Sequence, residues 1–415
     1  MAPLRSLVKN AVLTVVCLAT VSIYVERVIA VYLAQRSADS SDVEVLGRAN
    51  RLVPGDAEFP RLLGLQLSAS NSNDAVAITS LTKAVTLNPN IGRYWLDLAA
   101  VYHVAGNVKK ANEAVQSALN AEPGNPEVAQ EAAQYFLVAG DADRALSLFH
   151  QALVQDPHAA DAILPVCWSQ TRDANLLVAR VIPDNPELQL AFLWMLAGQK
   201  ETAAAKQVWQ HLVVSNKSFD PKLGFFYFDY LVKEHEVTSA DRAWHELAGL
   251  SPKLQAYLPN ENLIVNAGFE QQILNSGLDW RHGPADHITA GIDSNVAHSG
   301  THSLSLFYDG NPAYDAGWTQ LVPVQSNADY EFSAWIKSEN VTSSSGPRIA
   351  ITDGYSGFNL LLTDDALDTL PWQEIKGSLR VPAGTELLAI KIVRVPAGTR
   401  IRGRVWIDDL RLVKR

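Results

Sequence analysis

Residues 95–123 read WLDLAAVYHVAGNVKKANEAVQSALNAEP, and residues 129–157, which start 34 positions later, read AQEAAQYFLVAGDADRALSLFHQALVQDP. Small residues recur at matching positions of the two stretches, large apolar residues recur between them, and both stretches end near proline. Small side chains allow two helices to approach closely, and proline stops the second helix. The repeat therefore predicts stacked helical hairpins, each too small to bury its apolar face alone.

Spacing and residue size in each stretch match the tetratricopeptide repeat, which this pattern resembles. The matching positions of the first stretch are Trp95, Leu98, Ala99, Tyr102, Gly106, Ala111, Val115, Ala118 and Pro123. The frame extends back to Ala49 and Pro54, weakens after Pro157, and returns in a last hairpin that ends near Pro252. We therefore expect an α-solenoid over residues 42–252. Such arrays present surfaces to partners and seldom catalyse reactions.

The resemblance also implies a groove for a protein partner, lined by the first helix of each hairpin. The matching positions here are Glu58, Arg61, Leu65, Leu96, Ala100, His103, Glu127, Gln130 and Gln134. This lining is mixed and mildly polar, and it lacks the lysine and asparagine set that clamps a terminal carboxylate in chaperone-binding members. An ordinary solvated helix face is the alternative for each residue.

Composition excludes several classes of function. The chain has 415 residues, which predicts two or three domains, and its net charge of −10 argues against a nucleic-acid partner. Only Cys17 and Cys167 occur, so no disulfide framework is expected. We find no nucleophile elbow, zinc-protease helix, phosphate loop or dinucleotide fingerprint, and therefore expect no enzymatic activity.

The amino terminus predicts a membrane anchor. Residues 11–34 are mostly apolar, with Glu26 and Arg27 as the charged exceptions, and as a helix they would span about 36 Å. Basic residues precede this segment and acidic residues follow it, so residues 1–10 are expected as a cytoplasmic tail and the bulk of the chain as periplasmic or extracellular. A cleaved signal peptide with an apolar region at 11–25, or a soluble amphipathic helix, are the alternatives.

After Pro252 the helical period gives way to alternation of apolar and polar residues. Leu304, Leu306 and Tyr308 alternate with Ser303, Ser305 and Phe307, and residues 330–337 show the same period of two. The sequence Val-Pro-Ala-Gly at 381–384 recurs at 395–398 as a pair of turns around one strand. Short alternating runs between turn residues predict an antiparallel β-sandwich.

An ordered set of segments resembles carbohydrate-binding modules with the galactose-binding-like jelly roll. The clearest segments are NLIVNAGFE at 262–270, HSGTHSL at 298–304, YEFSAW at 330–335 and WIDDLRL at 406–412. Together they cover nearly all of residues 262–415 in the order of that family. We therefore expect this second domain to be a jelly roll.

The last strand contains an acid, Asp408, at a position where alternation predicts burial. Alternation would put Asp408 on one face with Trp406, Leu410 and Leu412, and a buried unpaired carboxylate is costly. The resemblance implies a structural calcium ion with Glu270 and Asp408 as side-chain ligands. Pairing of Asp408 with a nearby arginine is the alternative, and the candidates are Arg400, Arg402 and Arg404.

Sugar-binding modules stack aromatic rings on the apolar faces of sugars. Trp335 is expected on the polar face of its strand, and Tyr314 and Trp318 flank a loop, so these three are the candidate sugar-binding residues. Aromatic packing at the sheet edges is the alternative.

These features together predict a single-pass protein of the bacterial inner membrane that acts as a non-catalytic envelope scaffold. Its repeats would hold a protein partner while the sandwich binds glycan or another envelope component. Polysaccharide assembly or export is the expected pathway, by analogy with bacterial proteins of similar arrangement. The alternative is a pure protein-interaction scaffold whose sandwich has no sugar ligand.

Overall fold

The computed structural model describes residues 14–26, 28–29, 31–32, 42–70 and 74–415. The predicted cytoplasmic tail, residues 1–10, lies outside the described residues, as do positions 11–13, 27, 30 and 33–34 of the predicted anchor. Within the described part of the chain, no helix is both long and apolar enough to cross a bilayer. The chain divides into two compact units, and the division falls between Asp184 and Asn185.

The described part of the first unit is helical. From residue 43 onward its α-helices are Val43–Leu52, Glu58–Ala69, Asp74–Leu87, Gly92–Val104, Val108–Ala121, Pro126–Val138, Ala142–Gln155, Ala160–Thr171 and Ala174–Arg180, with a 3-10 helix at Pro157–Ala159. The helices from residue 58 to residue 155 pack in consecutive pairs, as the 34-residue period predicts. The predicted helical-hairpin architecture is confirmed for this region.

The repeated positions are the buried ones. Ala111, Val115 and Ala118 are 0% exposed, and so are Ala145, Phe149 and Ala152, which lie 34 residues further along. Burial at matching positions explains why the sequence conserves small residues between its own two copies. Each second helix thus packs the same face inward.

The turns inside the hairpins are equivalent as well. Gly106 and Gly140 have φ of +75° and +81°, a backbone region that favours glycine. The following residues, Asn107 and Asp141, cap the second helices, since their side-chain oxygens accept the backbone N–H of Lys110 and of Arg144 at 3.2 and 3.1 Å. Such caps typically stabilise a helix by about 1 kcal/mol.

The second unit begins with helices and ends with a sandwich. Its helices are Pro186–Gly198, Thr202–Ser215, Phe225–Lys233 and Val237–Leu250, with 3-10 helices at Pro221–Gly224 and Pro252–Tyr257. Its strands are β1 (Ile288–Asp293), β2 (Ser303–Pro312), β3 (Thr319–Pro323), β4 (Asp329–Ser343), β5 (Pro347–Asp353), β6 (Asn359–Leu362), β7 (Asp368–Arg380), β8 (Leu387–Arg394) and β9 (Arg400–Lys414). The predicted order of helical repeats and then an antiparallel β-sandwich is confirmed.

The sandwich has one sheet in the order β1-β2-β9-β4-β7 and a second in the order β3-β8-β5-β6. All pairings are antiparallel. In β4, Tyr330, Phe332, Ala334 and Ile336 point into the core between the sheets. The intervening residues, Trp335 among them, therefore lie on the outer face of the five-stranded sheet, as alternation predicts.

Asp408 is buried, but its side chain lies on the other face of the sheet from the one that alternation predicts. In the observed register Asp408 pairs with Trp335, whereas Leu412 pairs with the core residue Phe332. A β-bulge lies between these pairs, with Asp409 at φ +47°, and one extra residue reverses the alternation. Asp408 thus lies on the outer side of the sheet, and it is buried because the 298–302 loop covers it.

The last helical hairpin packs directly on the sandwich. The buried indole of Trp244 lies against Gly277, where an added Cβ would come within 2.0 Å of the ring. Arg281 pairs with Asp229 at 2.5 Å, and the Tyr355 hydroxyl donates to the Val232 carbonyl at 2.7 Å. This hairpin and the sandwich therefore belong to the same compact unit.

Candidate ligand-binding groove of the β-sandwich

Strands β7, β4 and β9 lie side by side, and their outer side chains form three cross-strand rows. Residues that pair across an antiparallel sheet share a face. The rows are Ser378–Glu331–Val413, Lys376–Ser333–Arg411 and Glu374–Trp335–Asp408. The first two rows and Glu374 line an open groove of about 490 Å³, together with the terminal Arg415. We call it the β4 groove, because β4 forms its floor.

Charge in the β4 groove is only partly paired. Lys376 Nζ lies 2.7 Å from a Glu374 carboxylate oxygen, and Arg415 lies 2.5 Å from Glu331. Arg411 is exposed and makes no ion pair with any residue that the structure describes. Among the described residues, Arg411 is thus the one cationic side chain of the groove without an ion-pair partner.

Trp335 is adjacent to the groove, and a histidine covers part of it. The His298 ring stacks on Trp335 with centroids 3.7 Å apart and planes 13° apart. Nδ1 of His298 lies 2.6 Å from Asp409 Oδ2, so the bulge holds the histidine in place. Trp372 meets His298 edge to face at 5.7 Å. Sequence reasoning missed Trp372, although it lies two residues before Glu374 on the outer face of β7.

The three candidate aromatics lie in different surroundings. Trp318 is only 3% exposed, because its ring packs among Phe269, Trp280 and His282 in and beside the core. Burial leaves that ring little surface for a sugar. Tyr314, by contrast, is 69% exposed, in the loop between β2 and β3. The structure therefore does not gather the three into one surface.

The expected calcium ligands both accept hydrogen bonds from the 298–302 loop. Glu270 accepts the N–H groups of Thr301 and His302 at 2.7 and 2.9 Å. Burial alone would raise the pKa of Glu270. The two backbone donors, together with hydrogen bonds from the side chains of Thr301 and His302, outweigh burial and lower the pKa to about 2. The carboxylate is thus a tight anchor for the loop.

Asp408 is held by backbone donors, not by an arginine. It accepts the N–H groups of His298 at 2.8 Å and of Asp409 at 2.8 Å. Burial raises the pKa of Asp408, and these hydrogen bonds only partly oppose the shift. Arg404 instead lies over the rings of Phe307 and Trp406, so the alternative pairing predicted for it is not observed.

The fit of this region to a calcium ion is limited. Carboxylate oxygens suit calcium, but here those of Glu270 and Asp408 face protein donors. Among the residues that the structure describes, no three His, Cys, Asp or Glu side chains are grouped so as to hold a metal ion. The ion implied by the resemblance therefore stays a prediction.

In the helical unit, the predicted partner-groove residue Arg61 is nearly buried. It lies 2.5 Å from Asp97 and 2.7 Å from Glu58. The Tyr94 hydroxyl also donates to Glu58 at 2.9 Å, and burial together with that carboxylate raises the pKa of Tyr94 to about 12. Arg61 thus joins two repeats and offers little free charge. Sequence reasoning missed Asp97, whose partner lies 36 residues away.

The other predicted partner-groove residues are more accessible. Glu127 and Gln134 are exposed, and Gln130 is half-buried, on the helix Pro126–Val138. His103 is half-buried and meets the Tyr135 ring edge to face at 5.5 Å. Burial raises the pKa of the nearby Glu131, and the positive charge of Arg93 opposes that shift. This helix offers an acidic, amide-rich surface.

The architecture defines a helical-repeat protein that carries an antiparallel β-sandwich. Part of the chain is similar to the crystal structure of MamA, with 26% identity over 29% of this chain and 69% of that one and a TM-score of 0.25. The sandwich region is similar to a CBM4 structure, with 16% identity, 37% and 99% coverage and a TM-score of 0.29. It is also similar to TmCBM61 in complex with beta-1,4-galactotriose, with 19% identity, 38% and 100% coverage and a TM-score of 0.28.

Neither a protein-family model nor a curated protein sequence matches this chain.

Proposed function

We propose that this protein is a non-catalytic envelope scaffold whose β-sandwich binds glycan and whose helical repeats hold a protein partner. The β4 groove is the observation that carries the proposal. It combines charged and hydroxyl side chains with an adjoining tryptophan, and sugar sites use aromatic surface together with a few oriented polar groups. Polysaccharide assembly or export is the pathway we propose for it.

A glycan array probed with the full chain tests the sugar-binding part. Trp335→Ala should abolish binding or weaken it at least several-fold. Phe307→Ala is the matched control, because Phe307 is an aromatic residue on the same sheet face, two strands away from β4, and does not line the groove. Thermal melts should show that both variants fold.

If the intact chain binds no polysaccharide on the array, the result would favour the pure protein scaffold instead. Equal loss in both variants would point to general damage of the sheet face. Either result would remove the sugar-binding part of the proposal.

The protein-partner part rests on the exposed face of the helix Pro126–Val138. A photo-crosslinking residue at position 134 should trap a partner in cells. The same residue at position 151 is the control, since Gln151 is an exposed glutamine on the neighbouring helix of the hairpin. Equal trapping at both positions would contradict a partner site on this face.

We also propose that residues 11–34 anchor the chain in the inner membrane, with the amino end in the cytoplasm. A periplasmic reporter enzyme fused after Arg415 should then be active. An active cytoplasmic reporter at the same position would overturn the proposed topology.

A further inference from the structure

We propose that the β4 groove takes a saccharide bearing a carboxylate, and that Arg411 is its counter-charge. The inference rests on the proposed sugar-binding function and names its ligand class. It comes from three observations: the cross-strand geometry, the unpaired cation and the neighbouring aromatic surface.

The geometry places a small residue between two cations. Ser333 pairs with Lys376 on one side and with Arg411 on the other. Neighbouring strands are about 4.8 Å apart, so the two cationic residues start about 10 Å from each other across a serine floor. That width accommodates one sugar ring, and the Ser333 and Ser378 side chains supply hydroxyl partners for its polar edge.

The charge balance favours an anion. Among the side chains that line the groove, Lys376, Arg411 and Arg415 are cationic and Glu331 and Glu374 are anionic, so the cationic side chains outnumber the anionic ones by one. Two of those cations already hold a carboxylate, and Arg411 holds none within the described residues. A guanidinium binds a carboxylate through two parallel N–H bonds, which a neutral hydroxyl cannot match.

The neighbouring row adds an aromatic end to the groove. Trp335 lies two residues beyond Ser333 on the same face of β4, and His298 fixes its ring. A chain of sugars that runs along β4 would meet Arg411 and then the exposed part of Trp335. A neutral polysaccharide would use only the aromatic end, so the cation distinguishes the two ligand classes.

Titration calorimetry of the full chain with a galacturonic-acid tetramer tests the assignment, and its fully methyl-esterified form is the matched neutral ligand. We expect the acid to bind at least roughly tenfold more tightly than the ester, in keeping with a charge-assisted pair. Higher salt should weaken binding of the acid.

Arg411→Ala should weaken binding of the acid by roughly tenfold and leave the ester unchanged, and Arg411→Lys should recover only part of the loss. Arg400→Ala is the control, since it removes the same charge from an exposed position on β9 outside the groove. Both arginines are exposed, so the variants should melt like the parent protein.

The outcomes separate the two proposals. Equal binding of acid and ester, or an unchanged affinity in Arg411→Ala, overturns the carboxylate assignment and leaves sugar binding intact. If neither ligand binds and an array of neutral and acidic glycans is silent as well, both proposals fail. Equal weakening by Arg411→Ala and Arg400→Ala would show that only the general charge of β9 matters, and it also overturns the assignment.

Discussion

The helical repeats and the β-sandwich differ in how the sequence determines which residues are buried. In the repeats, a position and its counterpart 34 residues later are buried alike, as Val115 and Phe149 illustrate. In the sandwich, facing depends on the partner strand, and one bulge at Asp409 reverses it. Local patterns therefore determine the first region, and long-range register determines the second.

The comparison predicts that a destabilising substitution in the repeats affects only the neighbouring helices. Phe149→Ala should destabilise the helical unit by about 3–5 kcal/mol, because it empties a fully buried position. Solenoid stability is a sum over neighbours, so hydrogen exchange should speed up around residues 126–171 and stay unchanged in the sandwich. Val154→Ala, an exposed change in the same helix, should have little effect. Faster exchange throughout β1–β9 would contradict this separation.

The stability of the second unit should depend on pH, because its sandwich contains a buried carboxyl group. Burial raises the pKa of Asp279 from 3.8 to about 6, despite hydrogen bonds from the N–H groups of Leu274 and Trp280. The folded state therefore holds this proton more tightly than the unfolded state, and stability falls as the pH rises from about 4 to about 6. The shift corresponds to at most about 3 kcal/mol.

Urea midpoints between pH 4 and pH 7 measure this effect. Asp279→Asn should flatten the dependence, and the exposed Asp286→Asn should leave it in place. An unchanged slope in Asp279→Asn would show that another group is responsible.

The junction between the last hairpin and the sandwich should be sensitive to a single methyl group. Gly277 has φ +64°, and an added Cβ would overlap the Trp244 ring. Gly277→Ala should therefore cost about 1–3 kcal/mol from backbone strain alone. Gly283→Ala is the control, because its Cβ would meet no atom within 4 Å. Equal thermal midpoints for the two variants would disprove close packing at this junction.

Chelation tests the calcium ion that the resemblance implies. The carboxylates of Glu270 and Asp408 already accept protein hydrogen bonds, so a thermal midpoint that EDTA leaves unchanged would mean that these bonds alone hold the 298–302 loop. An ion present at 100 times its dissociation constant would add about 2.7 kcal/mol, which such a melt detects easily. A clear drop with EDTA that added calcium reverses would support the ion implied by the resemblance.

Much of the fold could be predicted from sequence because its signals are local. Gly106 and Asn107 mark a turn and a cap within a few residues, and the alternation in β4 correctly places Trp335 on the outer face. The features that the sequence does not predict correctly depend on contacts between residues that are distant in sequence. The bulge at Asp409, the burial of Trp318 and the His298 ring over Trp335 all depend on which strands and loops become neighbours.

The candidate groove was less predictable than the fold. The sequence identifies Trp335 as a candidate, but it does not distinguish Arg411 and Lys376 from other surface residues. Only the strand register places these two on either side of Ser333. Trp372 could have been found by extending the alternation from Glu374 back along β7. Arg411 could not, because its place beside Ser333 and Lys376 depends on the pairing of three strands that are distant in sequence.

The contact of Trp244 with Gly277 also bears on how the sandwich could meet a long polymer. A module on a flexible tether rotates freely and finds successive sugar units independently. A sandwich fixed to its neighbouring hairpin keeps a set angle instead, so several copies of the protein could engage one strand at once only where their spacing suits it. Avidity would then depend on alignment more than on local concentration.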